Sequence, residues 1–377
     1  MTTVGVSGSY GGLNVGDEAI LTCIVNELGR SVPEVDVAVF SRNPEHTEMH
    51  HDVEKGIAVR EATREEVVPE IERLDLLLLG GGGILYDEEV HNYLREVRVA
   101  QERGIPTMAY AIGAGPLRGR EDRFAVRDAL NAMEAVTVRD TDVKRLLEDV
   151  GVTKPIEVTA DPALLLTPTP ISEEMLAREG VVKERPLVGM SVREPGAAAP
   201  GLERSPYHMT LASAADFIVS RFDADVVFVP MERADIGHAH RVMAEMAEPA
   251  RASVLTARYS PRQVLGLMDH FEMAVGMRLH FLLFAALAAV PLLALPYASK
   301  VTGLLEALEL PAPSKLQEHA GPLLAALDLL WDTRDTMRTE LRQRVPALQE
   351  QARQTSLIAV RLLDERARAR TATTRMS

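Results

Sequence analysis

The sequence predicts two α/β domains, each built on a largely parallel sheet, followed by a helical C-terminal extension. Three observations carry this expectation. Short apolar runs alternate with longer amphipathic stretches through the first half of the chain. The alternation stops at Leu166-Thr167-Pro168-Thr169-Pro170, where closely spaced prolines suit an extended linker, and then restarts. With 377 residues the chain can build two cores, at about 100–200 residues per domain. Strand–helix alternation implies parallel strands covered by helices on both faces. The expected boundaries are residues 1–166, 184–310 and 320–370.

In the first domain, Val4–Ser7, Val35–Phe40, Leu74–Leu79, Pro106–Ala111, Ala135–Val138 and Ile156–Val158 read as strands. Asp17–Leu28, Glu88–Arg103, Arg123–Met133 and Thr141–Asp149 carry helical patterning. In the second, Leu187–Val192, Val226–Val229, Ser253–Leu255, Met273–Gly276 and Pro291–Leu295 read as strands. Leu211–Arg221, Asp235–Ala247, Pro261–His270 and Leu279–Ala289 read as helices.

Composition narrows the function classes. An apolar fraction of 46% and a charged fraction of 25% argue against disorder, a collagen-like chain and a multi-span membrane protein. A net charge of −14 disfavours nonspecific nucleic-acid binding, which needs excess cations, although a local basic cleft is allowed. The single cysteine, Cys23, cannot form an intrachain disulfide, and the first residues lack a basic region followed by an apolar stretch. A cytoplasmic protein is expected. Phe281–Leu295 is nearly all apolar, but it is interrupted by Pro291 and falls short of the roughly 20 residues that cross a bilayer. It reads as a buried helix followed by a buried strand. From Trp331 onward the chain holds 10 Arg and no Lys against 6 acidic residues. This segment reads as a solvated helical face packing back across the domains, or as a weak peripheral contact with an anionic membrane.

In open parallel sheets, ligands bind beyond the carboxyl ends of the strands. Gly8–Glu18 joins the first strand to the first helix, and its glycines let backbone N–H groups approach a ligand. The glycine spacing fits neither a dinucleotide fingerprint nor a P-loop. Asn14 and Asp17 are candidates here; Asp17 either caps the helix or accepts hydrogen bonds from sugar hydroxyls. Four consecutive glycines, Gly80, Gly81, Gly82 and Gly83, follow an apolar strand, which suits close approach of a ligand or of the other domain, the alternative being a structural turn. Gly113-Ala114-Gly115-Pro116 has the same logic. Arg139 follows another strand and either reaches the ligand cleft or plays a structural part paired with a neighbouring carboxylate, and Asp140 reads as a helix cap.

The second domain supplies cations. Arg193 follows its first strand directly, and Arg278 and His280 open the apolar helix. Arginine donates two parallel hydrogen bonds to phosphate or carboxylate, and histidine can give and take a proton near neutrality. Lys300 lies beyond the next strand. His238 and His240 lack the spacing of a metal motif, so no metal is expected. His50 and His51 read as solvated, and Cys23 as a buried thiol.

Several of these blocks stand in a familiar order: Gly11–Leu21, Gly80–Gly83, Gly113-Ala114-Gly115-Pro116, Val138-Arg139-Asp140, Ala160-Asp161-Pro162-Ala163, Met277-Arg278-Leu279-His280 and Tyr297–Val301. Together they resemble the polysaccharide pyruvyltransferase family, and within it the branch acting on cell-wall polymers. The resemblance implies a fold similar to GT-B glycosyltransferases, with two Rossmann-like domains facing across a cleft. It implies phosphoenolpyruvate as donor and a sugar diol of a polysaccharide or lipid-linked saccharide as acceptor, giving a pyruvate ketal. No cofactor beyond that co-substrate is expected. His280 becomes the acid/base, with Arg278 as its catalytic neighbour; Arg193, Arg278 and Lys300 become donor contacts. Asn14, Asp17, Gly81, Gly82 and Gly83 would orient the acceptor. The family's Tyr-Asp-Pro-Lys is replaced here by Tyr297-Ala298-Ser299-Lys300, which retains the lysine. Two other readings share the fold: a glycosyltransferase using a nucleotide-diphosphate sugar, and a non-catalytic saccharide-binding relative.

Overall fold

Central strands of a doubly wound sheet are buried on both faces and therefore read as unbroken apolar runs. Leu76–Leu79 is such a run, with every residue buried. The computed structural model describes residues 2–59, 62–194, 204–295, 299–312 and 320–376. They divide into two compact units, Met1–Leu165 with Leu348–Ser377, and Leu166–Ala347.

The first unit contains β1 (Thr2–Ser7), α1 (Val15–Ser31), β2 (Val35–Ser41), α2 (Pro44–His50), β3 (Lys55–Ala58) and α3 (Arg64–Glu72). It continues with β4 (Leu76–Leu79), β5 (Gly82–Leu85), α4 (Val90–Tyr93), α5 (Arg95–Glu102), β6 (Thr107–Ala114), α6 (Arg120–Asn131), β7 (Ala135–Val138), α7 (Thr141–Val150) and β8 (Ile156–Val158). The strand order is β3-β2-β1-β4-β6-β7-β8, with β5 pairing β6. Every strand pairing among the described residues is parallel, and Val6 lies opposite both Val39 and Leu78.

The second unit contains α8 (Glu173–Arg178), β9 (Leu187–Ser191), α9 (Arg204–Phe222), β10 (Asp225–Phe228), α10 (Arg233–Ala244), β11 (Ala252–Val254) and α11 (Pro261–Leu267). Then come β12 (Phe271–Gly276), α12 (Leu279–Leu287), β13 (Leu292–Ala294) and α13 (Ser299–Ala307), in a sheet ordered β11-β10-β9-β12-β13. In both sheets the strand order reverses beside the first strand, β1 and β9, the Rossmann-type arrangement in which ligands collect at the switch point.

Several boundaries differ from the sequence expectation. The helical stretch Glu88–Arg103 is two helices, α4 and α5, separated at Leu94. The glycine run is only partly a loop, because Gly82 and Gly83 begin β5. The apolar stretch after residue 280 is a short buried helix and a buried strand, as expected. No helix among the described residues is long and apolar enough to cross a membrane. The C-terminal segment is one helix, α14 (Gly321–Met376), with Pro346 inside it. Its early residues Leu323, Leu327 and Leu330 join the second unit's core. Later, Gln349 donates to the Leu164 carbonyl (3.0 Å) and Thr355 to the Thr159 hydroxyl (2.7 Å), both within the first unit.

Candidate active site

In the second unit β9 lies between β10 and β12, with Ser191 opposite Gly276. Parallel strands bring the segments after all three to one edge of the sheet. Arg193 stands two residues beyond β9, its side chain 13% exposed. The buried Tyr207 of α9 donates its hydroxyl to the Arg193 carbonyl (2.7 Å) and reaches the Met277 sulfur at 2.9 Å. One side chain thus ties the segment carrying Arg193 to the segment that leads into Arg278.

Arg278 is the N-cap of α12, without a side-chain cap of its own. Its guanidinium is held side-on by Asp235, with Nε to Oδ2 at 3.0 Å and Nη2 to Oδ1 at 2.5 Å, and Nη2 also pairs with Glu232. Both carboxylates come from the segment after β10 and the first turn of α10. Burial pushes the Asp235 carboxyl above its ordinary value, and the Arg278 hydrogen bonds oppose that shift. His280 is the second residue of α12 and is half-buried. The first N–H groups of a helix have no partner within it, and the helix dipole is positive there. The N-terminus of α12 can therefore receive an anion next to an imidazole. Lys300 is half-buried on α13, while Tyr297 and Ala298 lie outside the described residues.

In the first unit β1 lies between β2 and β4, and the Gly8–Asn14 segment follows it. Asn14, not Asp17, is the N-cap of α1; its Oδ1 accepts from Gly16 N (3.0 Å) and Asp17 N (3.4 Å). Asp17 is half-buried and borders Gly82, where a Cβ would lie 3.4 Å from Asp17 Oδ1. Gly82 has φ +106°, which favours glycine; Gly81 is buried and Gly83 exposed. Asp17 and the glycine run are therefore neighbours. Two of the surrounding glycines are small because protein groups occupy the space. A Cβ on Gly80 would lie 1.9 Å from the Tyr10 hydroxyl, and one on Gly113 would lie 2.7 Å from Arg139 Nη2. The Arg139 side chain is 6% exposed and pairs with Asp161 (3.2 Å) and Asp140 (3.6 Å), the structural one of its two sequence readings, and Asp140 caps α7 as expected.

Some functional geometry escaped the sequence reading. His51 is not solvated: its side chain is 3% exposed and its Nε2 lies 2.9 Å from Glu18 Oε2. Glu18 Oε1 in turn accepts from Gly11 N at 2.9 Å, so the pair holds the first glycine loop. Glu232 and Asp235 were also missed as partners of Arg278. They stand three residues apart at the N-terminus of α10 and form a capping box there, but Glu-x-x-Asp is not the Ser/Thr-x-x-Glu/Gln pattern that announces one. His208 and His238 stack, with Nε2 to Nδ1 at 3.3 Å. Among the described residues no group of three or more His, Cys, Asp or Glu could hold a metal ion.

Solved structures place this architecture. UDP-GlcNAc 2-epimerase from Neisseria meningitidis, bound to UDP-GlcNAc, superposes with a TM-score of 0.64 at 12% identity, covering 97% of this chain and 100% of that one. Sucrose-phosphate synthase from Thermosynechococcus elongatus gives 0.60 at 13%, covering 97% and 100%. ADP-heptose LPS heptosyltransferase II from E. coli gives 0.53 at 16%, covering 89% and 100%. The fold is thus the GT-B type shared by glycosyltransferases and epimerases: two Rossmann-like domains with a helical C-terminal segment. At these identities the likeness concerns the fold alone. No curated protein sequence matches the chain significantly. The model of the family described as polysaccharide pyruvyl transferase matches residues 14–299, a span that takes in Asn14, Asp17, the glycine run, Arg193 and the Arg278-Leu279-His280 segment. On that match over most of its length, the chain belongs to the polysaccharide pyruvyl transferase family.

Proposed function

We propose that the protein transfers the pyruvyl group of phosphoenolpyruvate to two hydroxyls of a saccharide, forming a cyclic ketal. The family assignment supplies the reaction class. The observation that carries the donor is the Arg278-Leu279-His280 segment at the N-terminus of α12, with Arg193 tied to the same sheet edge through Tyr207. Phosphoenolpyruvate carries a phosphate, a carboxylate and an enol carbon that must be protonated. A helix N-terminus, Arg193, Arg278 and Lys300 suit the two anionic groups. His280 suits the proton transfer.

In this reading His280 gives its proton to the methylene carbon of the donor, and the adjacent carbon becomes electrophilic. One saccharide hydroxyl oxygen bonds to that carbon, and its proton returns to His280. The second hydroxyl oxygen then bonds to the same carbon as the carbon–oxygen bond to phosphate breaks; inorganic phosphate leaves with the second proton. Atoms balance: the diol loses two hydrogens, one to the new methyl group and one to phosphate. Asp17 and the neighbouring Gly81, Gly82 and Gly83, with Asn14 fixing the start of α1, are assigned to the acceptor. The proposed setting is the cytoplasm, with a lipid-linked or polymeric acceptor and peripheral membrane contact through the Arg-rich end of α14.

The test is acceptor-dependent phosphate release from phosphoenolpyruvate across a panel of free and lipid-linked saccharides. His280→Gln should lower turnover by about 10²–10⁴-fold with an unchanged melting temperature. Full turnover by that variant removes His280 from the chemistry. Turnover with a nucleotide sugar and none with phosphoenolpyruvate overturns the donor, and saturable saccharide binding without product from either donor overturns the catalytic reading.

A further inference from the structure

The donor-side arginine of the second unit does not stand as a bare cation. Asp235 and Glu232 lie on the Nε/Nη2 edge of Arg278, so two carboxylates face one guanidinium where an anionic donor is to bind.

The two carboxylates are held differently. The Asp235 side chain is 2% exposed. Its Oδ2 accepts the backbone N–H of Met231 (3.1 Å) and of Glu232 (3.2 Å), which pins the carboxylate to the segment after β10. From that fixed point it takes both Nε and Nη2 of Arg278, the side-on geometry that sets the plane of a guanidinium. Glu232 is different. Its side chain is 34% exposed, it meets Arg278 at Nη2 alone, through Oε1, and it takes part in the capping box of α10. Arg278 itself is only 11% exposed, and a guanidinium so far from water needs a counter-ion to remain there.

We infer that Asp235 is a positioning residue that fixes the Arg278 guanidinium for donor capture, and that Glu232 is an exchangeable counter-ion the incoming anion displaces. This rests on the reading that the second unit binds phosphoenolpyruvate. The two acids then act in opposite directions on affinity. Asp235 provides orientation, and losing it sets an amide N–H against Nη2. Glu232 competes, and removing its charge leaves Nη2 available, while a glutamine keeps the oxygen that caps α10.

The test is titration calorimetry of the full chain with phosphoenolpyruvate and, separately, with inorganic phosphate, at low ionic strength. Melting temperatures serve as the folding control. Asp235→Asn should weaken binding by about 10-fold or more, the scale for losing a charge-assisted hydrogen bond. Glu232→Gln should tighten it by about 3–10-fold, and that gain should shrink as salt screens the site. Should Asp235→Asn not fold, Asp235→Glu takes its place, with the same weakening expected because its longer arm displaces the carboxylate. If both variants tighten binding, the acids are only a repulsive field and the inference is overturned. It is equally overturned if neither dissociation constant moves by more than about 2-fold, the result of a purely structural ion cluster. If phosphate shows the opposed shifts and phosphoenolpyruvate does not bind, the positioning role stands and the proposed donor falls. If neither anion binds the wild type, both fall.

Discussion

Tyr10 shows how a single residue spends space. Its ring is fully buried, and among the described residues its hydroxyl has no hydrogen-bond partner. Burial, with Asp17 and Glu18 nearby, pushes its pKa well up, so it stays neutral. The hydroxyl fits only because Gly80 has no side chain. Gly80→Ala should therefore destabilise the fold by about 1–3 kcal/mol through overpacking, read from urea denaturation. Tyr10→Phe alone should be neutral or stabilising by up to about 1 kcal/mol, because it removes an unsatisfied group. The same change in the Gly80→Ala background should recover part of the loss, since the closest approach is to the oxygen. Additive effects of the two changes would show that this contact does not set the glycine. His51 departs from its expected solvation. Its sequence neighbours are polar, yet the Glu18 carboxylate on α1 gives it a buried partner 2.9 Å away that no local pattern reveals.

At the level of elements, α14 is held by a few large contacts. Trp331 stacks on Phe222 at the end of α9, with ring centroids 4.4 Å apart and planes 5° from parallel. The Arg334 guanidinium lies 4.7 Å from the same indole. Offset stacking adds to the area such a ring buries. Trp331→Ala should cost about 3 kcal/mol and lower the first thermal transition, and Trp331→Phe should restore much of it. A variant melting with the wild type would mean that this part of α14 is not integral to the core. The helix was legible because residues 322–377 contain no glycine and only Pro322 and Pro346. Its continuity through Pro346 was not legible, since proline in isolation argues for a break. The missed elements α2, β3, α3, β5, α8 and α13 are each four to nine residues long, too short to show the periodicity that marks buried strands and amphipathic helices.

The molecule as a whole carries a net charge of −14, and buried acids contribute part of its pH response. Glu96 is 2% exposed, and burial raises its carboxyl pKa although Arg95 and Ser7 oppose the shift. The folded chain then holds the proton more tightly than the unfolded one. This group's stabilising contribution is complete below the ordinary glutamate pKa and is lost as pH rises through the folded value. Unfolding free energies measured from about pH 4 to about pH 7 should therefore fall more steeply for the wild type than for Glu96→Gln, whatever the offset between them. Parallel curves would show that Glu96 titrates normally.

The strand–helix alternation, most of the long strands and helices, the glycine loops and the cationic residues after β9 and β12 were present in the linear pattern. Burial on both faces of a parallel sheet imposes continuous apolar runs, and the residues following them are local by definition. Tertiary structure alone decided the partners: Asp235 and Glu232 against Arg278, Asp161 against Arg139, Glu18 against His51. Each pair joins residues 22 or more positions apart, and Coulomb attraction between them acquires its strength only when folding removes the intervening water.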